Sequence, residues 1–223
     1  MSAGATMTFV QSTSLAGAIV LAGATLSQAQ TALSIVNVAA PAVLCVFEAN
    51  CTVTGTDTTG TIPLNFASGT PILQSRTFGG AAGTPAAGLT AYEYRVDMTT
   101  AAGAVDCQLG VVIDFGPVAK LPYAGSEPAD VYVITSGGLG SVGLTSAEQD
   151  GGVITFTFDK PLCVGNAAGQ GMSTFFFGLA SAKPPAPALA GMWGFGVPPF
   201  VSLAARAPEQ GPSPPSGLRA TPP

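Results

Sequence analysis

The chain has 223 residues, with seven Lys plus Arg against twelve Asp plus Glu, a net charge of −5 and no His; 9% of it is charged and 47% hydrophobic. A hydrophobic content in the ordinary globular range excludes a charged disordered chain, and so few cations leave no basic stripe to neutralise the phosphates of a nucleic acid. The missing His removes the usual general base, the commonest metal ligand and every Ser-His or Cys-His nucleophile pair, and with them most familiar hydrolase chemistry.

Residues 1–29 read as a secretory signal peptide. Leu15 to Leu26 is a short run of small and apolar residues, and Ser27-Gln28-Ala29-Gln30 places small residues at the −3 and −1 positions of a cut after Ala29. The run is shorter than the roughly 20 apolar residues of a membrane span. No Lys or Arg precedes Arg76, so the positive charge of a usual leader is missing and an upstream start remains open. Leu44 is too bulky to precede a lipid-modified Cys45, so the chain is expected to be exported without a lipid anchor.

Past the leader, apolar residues recur with period two, the mark of half-buried strands. Strands are expected over Ser34–Val38, Val43–Phe47 and Cys51–Thr54. Tyr92, Tyr94, Val96 and Met98 alternate with Glu93, Arg95 and Asp97, which predicts a strand with one dry face and one solvated face. Cys107, Leu109, Val111, Ile113 and Phe115 form a second such face, and Ile154, Phe156 and Phe158 a third. Asp130–Thr135, Ser173–Leu179 and Phe200–Ala205 complete the set, with Gly, Pro, Asn and Asp in the gaps. Consecutive Phe175, Phe176 and Phe177 predict a strand covered on both faces. Lys183-Pro184-Pro185-Ala186-Pro187 reads as a rigid connector, and residues 208–223 as an extended, disordered Pro-rich tail.

Four cysteines suit an oxidising compartment, and the spacing favours Cys45–Cys51 and Cys107–Cys163 among three connectivities. Closing the long loop is expected to contribute roughly 4 kcal/mol. Zinc is disfavoured, because no close CxxC pairs are present.

Several patterns in the chain bear on chemistry. Gly138-Leu139-Gly140-Ser141-Val142-Gly143 matches a dinucleotide fingerprint, but only Leu144 to Asp150 separates it from Gly151-Gly152 and the next strand, too little for the crossover helix such a site needs. It reads instead as a glycine-rich turn between antiparallel strands. Glu93 and Asp97 share a polar strand face, expected to be an ordinary solvated one, and are too far apart along it for a retaining glycosidase pair. Asp57 with Asn50, and Glu148 with Asp150, sit in turn-like segments where Ca²⁺ could bind, although turn formation explains these residues equally well. Thr52, Thr54 and Thr56 alternate along one side of an expected strand and could meet a sugar or ice surface. Trp193, the only Trp, stands between Met192 and Gly194 beside flexible glycines; on an exposed face such a ring could stack on a sugar, although core packing is its more frequent fate.

The sequence therefore predicts an all-β protein, an antiparallel β-sandwich of immunoglobulin-like or jelly-roll-like kind over residues 30–207, stapled by Cys45, Cys51, Cys107 and Cys163. It implies an exported, non-catalytic module of the envelope or extracellular space, with no cofactor other than a possible Ca²⁺. Its partners would be other surface proteins or glycans, with no nucleic acid and no transmembrane segment in the mature chain. A carbohydrate-binding module using Trp193, Thr52, Thr54 and Thr56 is the first alternative, and a glycan-cleaving enzyme with two carboxylates the second.

Overall fold

A computed structural model describes residues 30–195 and 201–210; the leader and residues 211–223 of the tail lie outside the described residues. Fourteen strands and one five-residue helix follow in chain order. They are β1 (Thr31–Ala32), β2 (Ile35–Ala39), α1 (Ala40–Leu44), β3 (Thr56–Thr61), β4 (Ala67–Ser68), β5 (Ile72–Gly79), β6 (Thr90–Asp97), β7 (Ala102–Gly103), β8 (Cys107–Asp114), β9 (Val131–Ser136), β10 (Leu144–Asp150), β11 (Val153–Cys163), β12 (Phe177–Ser181), β13 (Pro185–Phe195) and β14 (Val201–Pro208). No described helix is long and apolar enough to cross a membrane.

Two six-stranded sheets form the sandwich. The first has the order β1-β10-β11-β8-β13-β14 and the second β2-β9-β12-β6-β5-β3, while β4 and β7 make a small separate ladder. All pairs are antiparallel except β2 with β9. Alternation sends Val111, Ile113, Ile154, Phe156, Ala190, Met192 and Leu203 of the first sheet against Leu73, Tyr92, Tyr94, Val96, Phe177 and Leu179 of the second, and all are buried. Tyr92 packs edge-on against Phe115 at 5.2 Å, and Phe156 meets Phe177 at 5.0 Å, distances at which aromatic pairs attract.

The second sheet is also dry on part of its outer face. Phe47, at 0% exposure, lies beneath the α1 segment among Phe78, Tyr123 and Tyr132, with Val43, Val46, Ile134 and Phe176 in the same cluster. The triple phenylalanine follows from this layering: Phe176 enters the outer cluster while Phe177 enters the sandwich.

Several expected elements take other forms. Val43–Phe47 is not a strand: Pro41 sits in the first turn of α1, where its missing N–H has no helical partner to lose, and the chain then turns to place Val43, Val46 and Phe47 on one buried side. Cys51–Thr54 is likewise not a strand, because Cys51 takes a positive φ of 57° and the Asn50 side chain accepts the Thr52 N–H, making a turn. The Gly138–Gly143 turn joins β9 and β10 of different sheets rather than an antiparallel pair, and Gly140, at φ 104°, runs against the Thr174 backbone where a side chain would not fit.

The proline-rich connector is the start of β13. Glu209 N–H donates to the Pro184 carbonyl at 2.8 Å, which fixes the parity of the ladder with β14. Pro185 and Pro187 therefore turn their missing N–H groups away from β14, on the side where β8 pairing has not yet begun. Pro208 belongs to β14 and is buried, so the paired region reaches past the expected start of the tail.

Both disulfides have the expected connectivity. Cys45–Cys51 closes the turn after α1, and Cys107–Cys163 joins directly opposed residues of β8 and β11. Replacing Cys107 and Cys163 together by Ser is expected to lower stability by about 4 kcal/mol through the freed unfolded chain. Chemical denaturation of the double variant checks this, and an unchanged midpoint would contradict it.

Candidate functional site

The outer face of the second sheet carries one row of side chains in register across five strands. Asp57 of β3 faces Arg76 of β5, Arg76 faces Glu93 of β6, Glu93 faces Gly178 of β12, and Gly178 faces Tyr132 of β9. Neighbouring strands stand about 4.8 Å apart, so residues in such a row touch. Gly178 is the gap that lets the row close. A Cβ there would lie 2.5 Å from the Tyr132 ring and 2.6 Å from its hydroxyl, so the absent side chain allows Tyr132 to reach over and donate to Glu93 Oε1 at 3.0 Å.

Glu93 is the correction to the expected solvated face, at 2% exposure. Alternation assigned the correct face, but α1 and Phe176 cover it. Burial pushes its carboxyl up to about 7, against the opposing hydrogen bond from Tyr132 and the charge of Arg76. Asp57 behaves oppositely. The Arg76 Nε hydrogen bond at 2.8 Å holds its carboxyl below the usual value, with a second bond from Nη2 at 3.4 Å and one from Gln74. Asp97 pairs with Arg95 at 2.9 Å, so the two acids of β6 have separate environments.

A cleft of about 320 Å³ opens above this row. Phe176 lines it, with the guanidinium groups of Arg76 and Arg95 over its ring, 5.1 and 5.8 Å from the centroid. Leu44, Val53, Ile134 and Leu139 supply apolar walls, and Gln74, Arg76 and Glu93 the polar ones. The glycine-rich turn thus contributes Gly137 and Gly138 to a pocket wall, without any helix to hold a phosphate.

The residues singled out from sequence lie elsewhere and are not brought together. Thr52 is exposed in the turn after Cys51, and Thr54 precedes β3, so the three threonines do not line one strand. Thr56 opposes Thr77, and with Thr54 and Thr90 these residues line a shallow hollow beside Pro185. Asp57 is engaged by Arg76, Asn50 by Thr52 and Glu148 by Gln30; among the described residues no three His, Cys, Asp or Glu gather around a common point.

Trp193 is half-buried on the outer face of the first sheet, opposite Gly110. A Cβ on Gly110 would stand 2.7 Å from the indole Nε1 and 2.9 Å from Cε2, so glycine gives the ring room to lie across β8. Gly110 in turn opposes Thr157, and Thr157 opposes Ser146. The adjacent row runs Ser202, Gly191, Val112, Thr155 and Glu148. Indole, hydroxyls and glycine backbone therefore share one face, with Leu189 exposed at 67% nearby on β13.

Arg76 and Tyr132 carry no local signal for this site, and Phe176 is marked in the sequence only as a covered ring. Only strand register brings them to Glu93, and the sole local hint was an acid between two tyrosines. Compared with protein-family models, curated proteins and solved structures, the chain matches none, so its own residues carry the reading.

The burial of Glu93 has a measurable sign. Unfolded, it titrates near 4.5; folded, near 7. The folded state keeps a proton that the unfolded state releases, so this group's contribution falls as pH rises through that window and is level above it. Glu93→Gln is expected to gain on the order of 3 kcal/mol relative to wild type between about pH 4 and about pH 8. Urea unfolding at the two pH values measures it; an equal difference at both would mean that Glu93 ionises as readily folded as unfolded.

Proposed function

We propose that the chain is an exported, non-catalytic interaction module of the envelope or extracellular space, and that the partner of its open sheet face is a glycan. Two disulfides and the absence of a membrane-crossing helix among the described residues are compatible with that location. The observation that carries the glycan reading is the indole of Trp193 lying across Gly110 in register with Thr157 and Ser146. An aromatic plane takes the C–H face of a sugar ring, while adjacent hydroxyls and backbone groups exchange hydrogen bonds with its O–H groups. The low charge of the chain suits a neutral ligand.

The absent His, and the separate engagement of Glu93 by Tyr132, Asp57 by Arg76 and Asp97 by Arg95, favour binding over cleavage. Affinity electrophoresis on a panel of neutral polysaccharides tests the reading. Retardation by at least one polysaccharide is expected, with no release of reducing ends, and Trp193→Ala, shown folded by its thermal transition, is expected to weaken it roughly tenfold or more, about 1.4 kcal/mol. Retention unaffected by that substitution, or no retention on any glycan, would remove the glycan from the proposal.

A further inference from the structure

The cleft over Glu93 lies on the other sheet from Trp193 and does not depend on the glycan reading. Its charges are unequally satisfied. Arg76 is matched by Asp57 and Arg95 by Asp97, leaving Glu93 as the one carboxyl lining the cleft with no cation within ion-pair distance among the described residues. Its hydrogen-bond partner there is Tyr132, which occupies Oε1.

The row Asp57, Arg76, Glu93 alternates negative, positive, negative, and the next place in register is Gly178, which has no side chain to continue it. Every other element at the cleft is neutral: α1 contributes Ala40 and Leu44, the following loop Val53, β9 Ile134, and the turn Gly137, Gly138 and Leu139. A volume of about 320 Å³ is at the small end of ligand pockets, which start near roughly 300 Å³.

We propose that this cleft binds a small organic monocation, an alkyl- or arylammonium, whose ammonium pairs with Glu93 and whose hydrocarbon part lies against Ile134, Leu44 and Phe176. The ammonium supplies the counter-charge the site lacks and donates to the Glu93 oxygen not used by Tyr132. An anion meets the opposite situation, because the two guanidinium groups over Phe176 are already held, Arg76 by Asp57 and Arg95 by Asp97, and the remaining charged group of the cleft is itself a carboxyl. A neutral alcohol would gain the hydrogen bond without the charge.

Since the cation selects the ionised carboxyl, binding displaces the proton from Glu93, whose ordinary value is raised by burial to about 7. The groups that set this response are Arg76 and Asp57 on one side and Tyr132 on the other. Affinity then rises about tenfold between roughly pH 6 and roughly pH 8.

Isothermal titration of the full chain with benzylammonium, benzyl alcohol and benzoate tests the proposal. Saturable binding of benzylammonium is expected, about tenfold tighter at the higher pH, with benzyl alcohol weaker and independent of pH and benzoate not bound. Glu93→Gln is expected to lose the benzylammonium heat at both pH values, and Trp193→Ala to retain it, which separates this site from the glycan face. The proposal is overturned if benzoate binds as tightly as benzylammonium, if benzyl alcohol matches it, if none of the three saturates, or if folded Glu93→Gln binds undiminished. The comparison of the three probes needs no variant, so a misfolded Glu93→Gln leaves the test intact.

Discussion

The structure depends on the second sheet being dry on both faces over part of its width. Its inner face, with Tyr92, Tyr94, Val96 and Phe177, must meet the first sheet, and its outer face carries Ala91, Tyr132, Ile134 and Phe176, which need a cover of their own. That cover has little intrinsic stability. A five-residue helix is far below the length at which helices persist alone in water, so α1 is held by its buried face and by the Cys45–Cys51 closure behind it. Phe47 anchors the cover to the sheet through Phe78, at 5.1 Å, and through the neighbouring tyrosines. Where the cover ends, the cleft begins, and Glu93 lies at that margin.

Both sheets must also end without offering a free edge. The edge strands β14 and β3 approach each other, and the Arg206 backbone is satisfied from the opposite sheet: its N–H donates to Ser75 Oγ at 3.0 Å, and its carbonyl accepts from Tyr94 Oη at 2.8 Å. Gly60 permits the approach, since a Cβ there would lie 2.8 Å from the Ala204 carbonyl. Two buried polar side chains thus cap an edge that would otherwise pair with another chain. The opposite edges are short or irregular, with two residues in β1 and a register shift in β2.

The two outer faces consequently differ in chemistry. The covered face of the second sheet raises the cost of charge, so its carboxyls separate into one held low by Arg76 and one pushed up by burial. The outer face of the first sheet has no such cap among the described residues and displays an indole, hydroxyls and glycines in register. Polar groups on that face can exchange partners with water, whereas Glu93 and Tyr132 have each other.

Period-two alternation located β2, β8 and β9 within a residue of their ends and found β6, β11 and β14, although β11 runs on to Cys163 and β14 to Pro208, because which face a side chain takes is a local property of the pleat whereas the length of a ladder depends on its partners. The run Phe175–Phe177 indicated cover on both sides, although only Phe177 lies in a strand, and the cysteine spacing favoured the pairing that both disulfides take. Alternation failed at Val43–Phe47, where apolar residues pack as a turn against a sheet formed by distant sequence, and at Pro185 and Pro187, whose tolerance depends on which neighbour lies on each side. Sequence by itself determined the strand class and the face on which Glu93 stands, and favoured one sulfur pairing among three. Only the tertiary structure decided that this face is covered and that Arg76, Glu93 and Tyr132 share a row. Burial and cross-strand register are properties of residues far apart in the chain, and alternation along one strand carries no information about either.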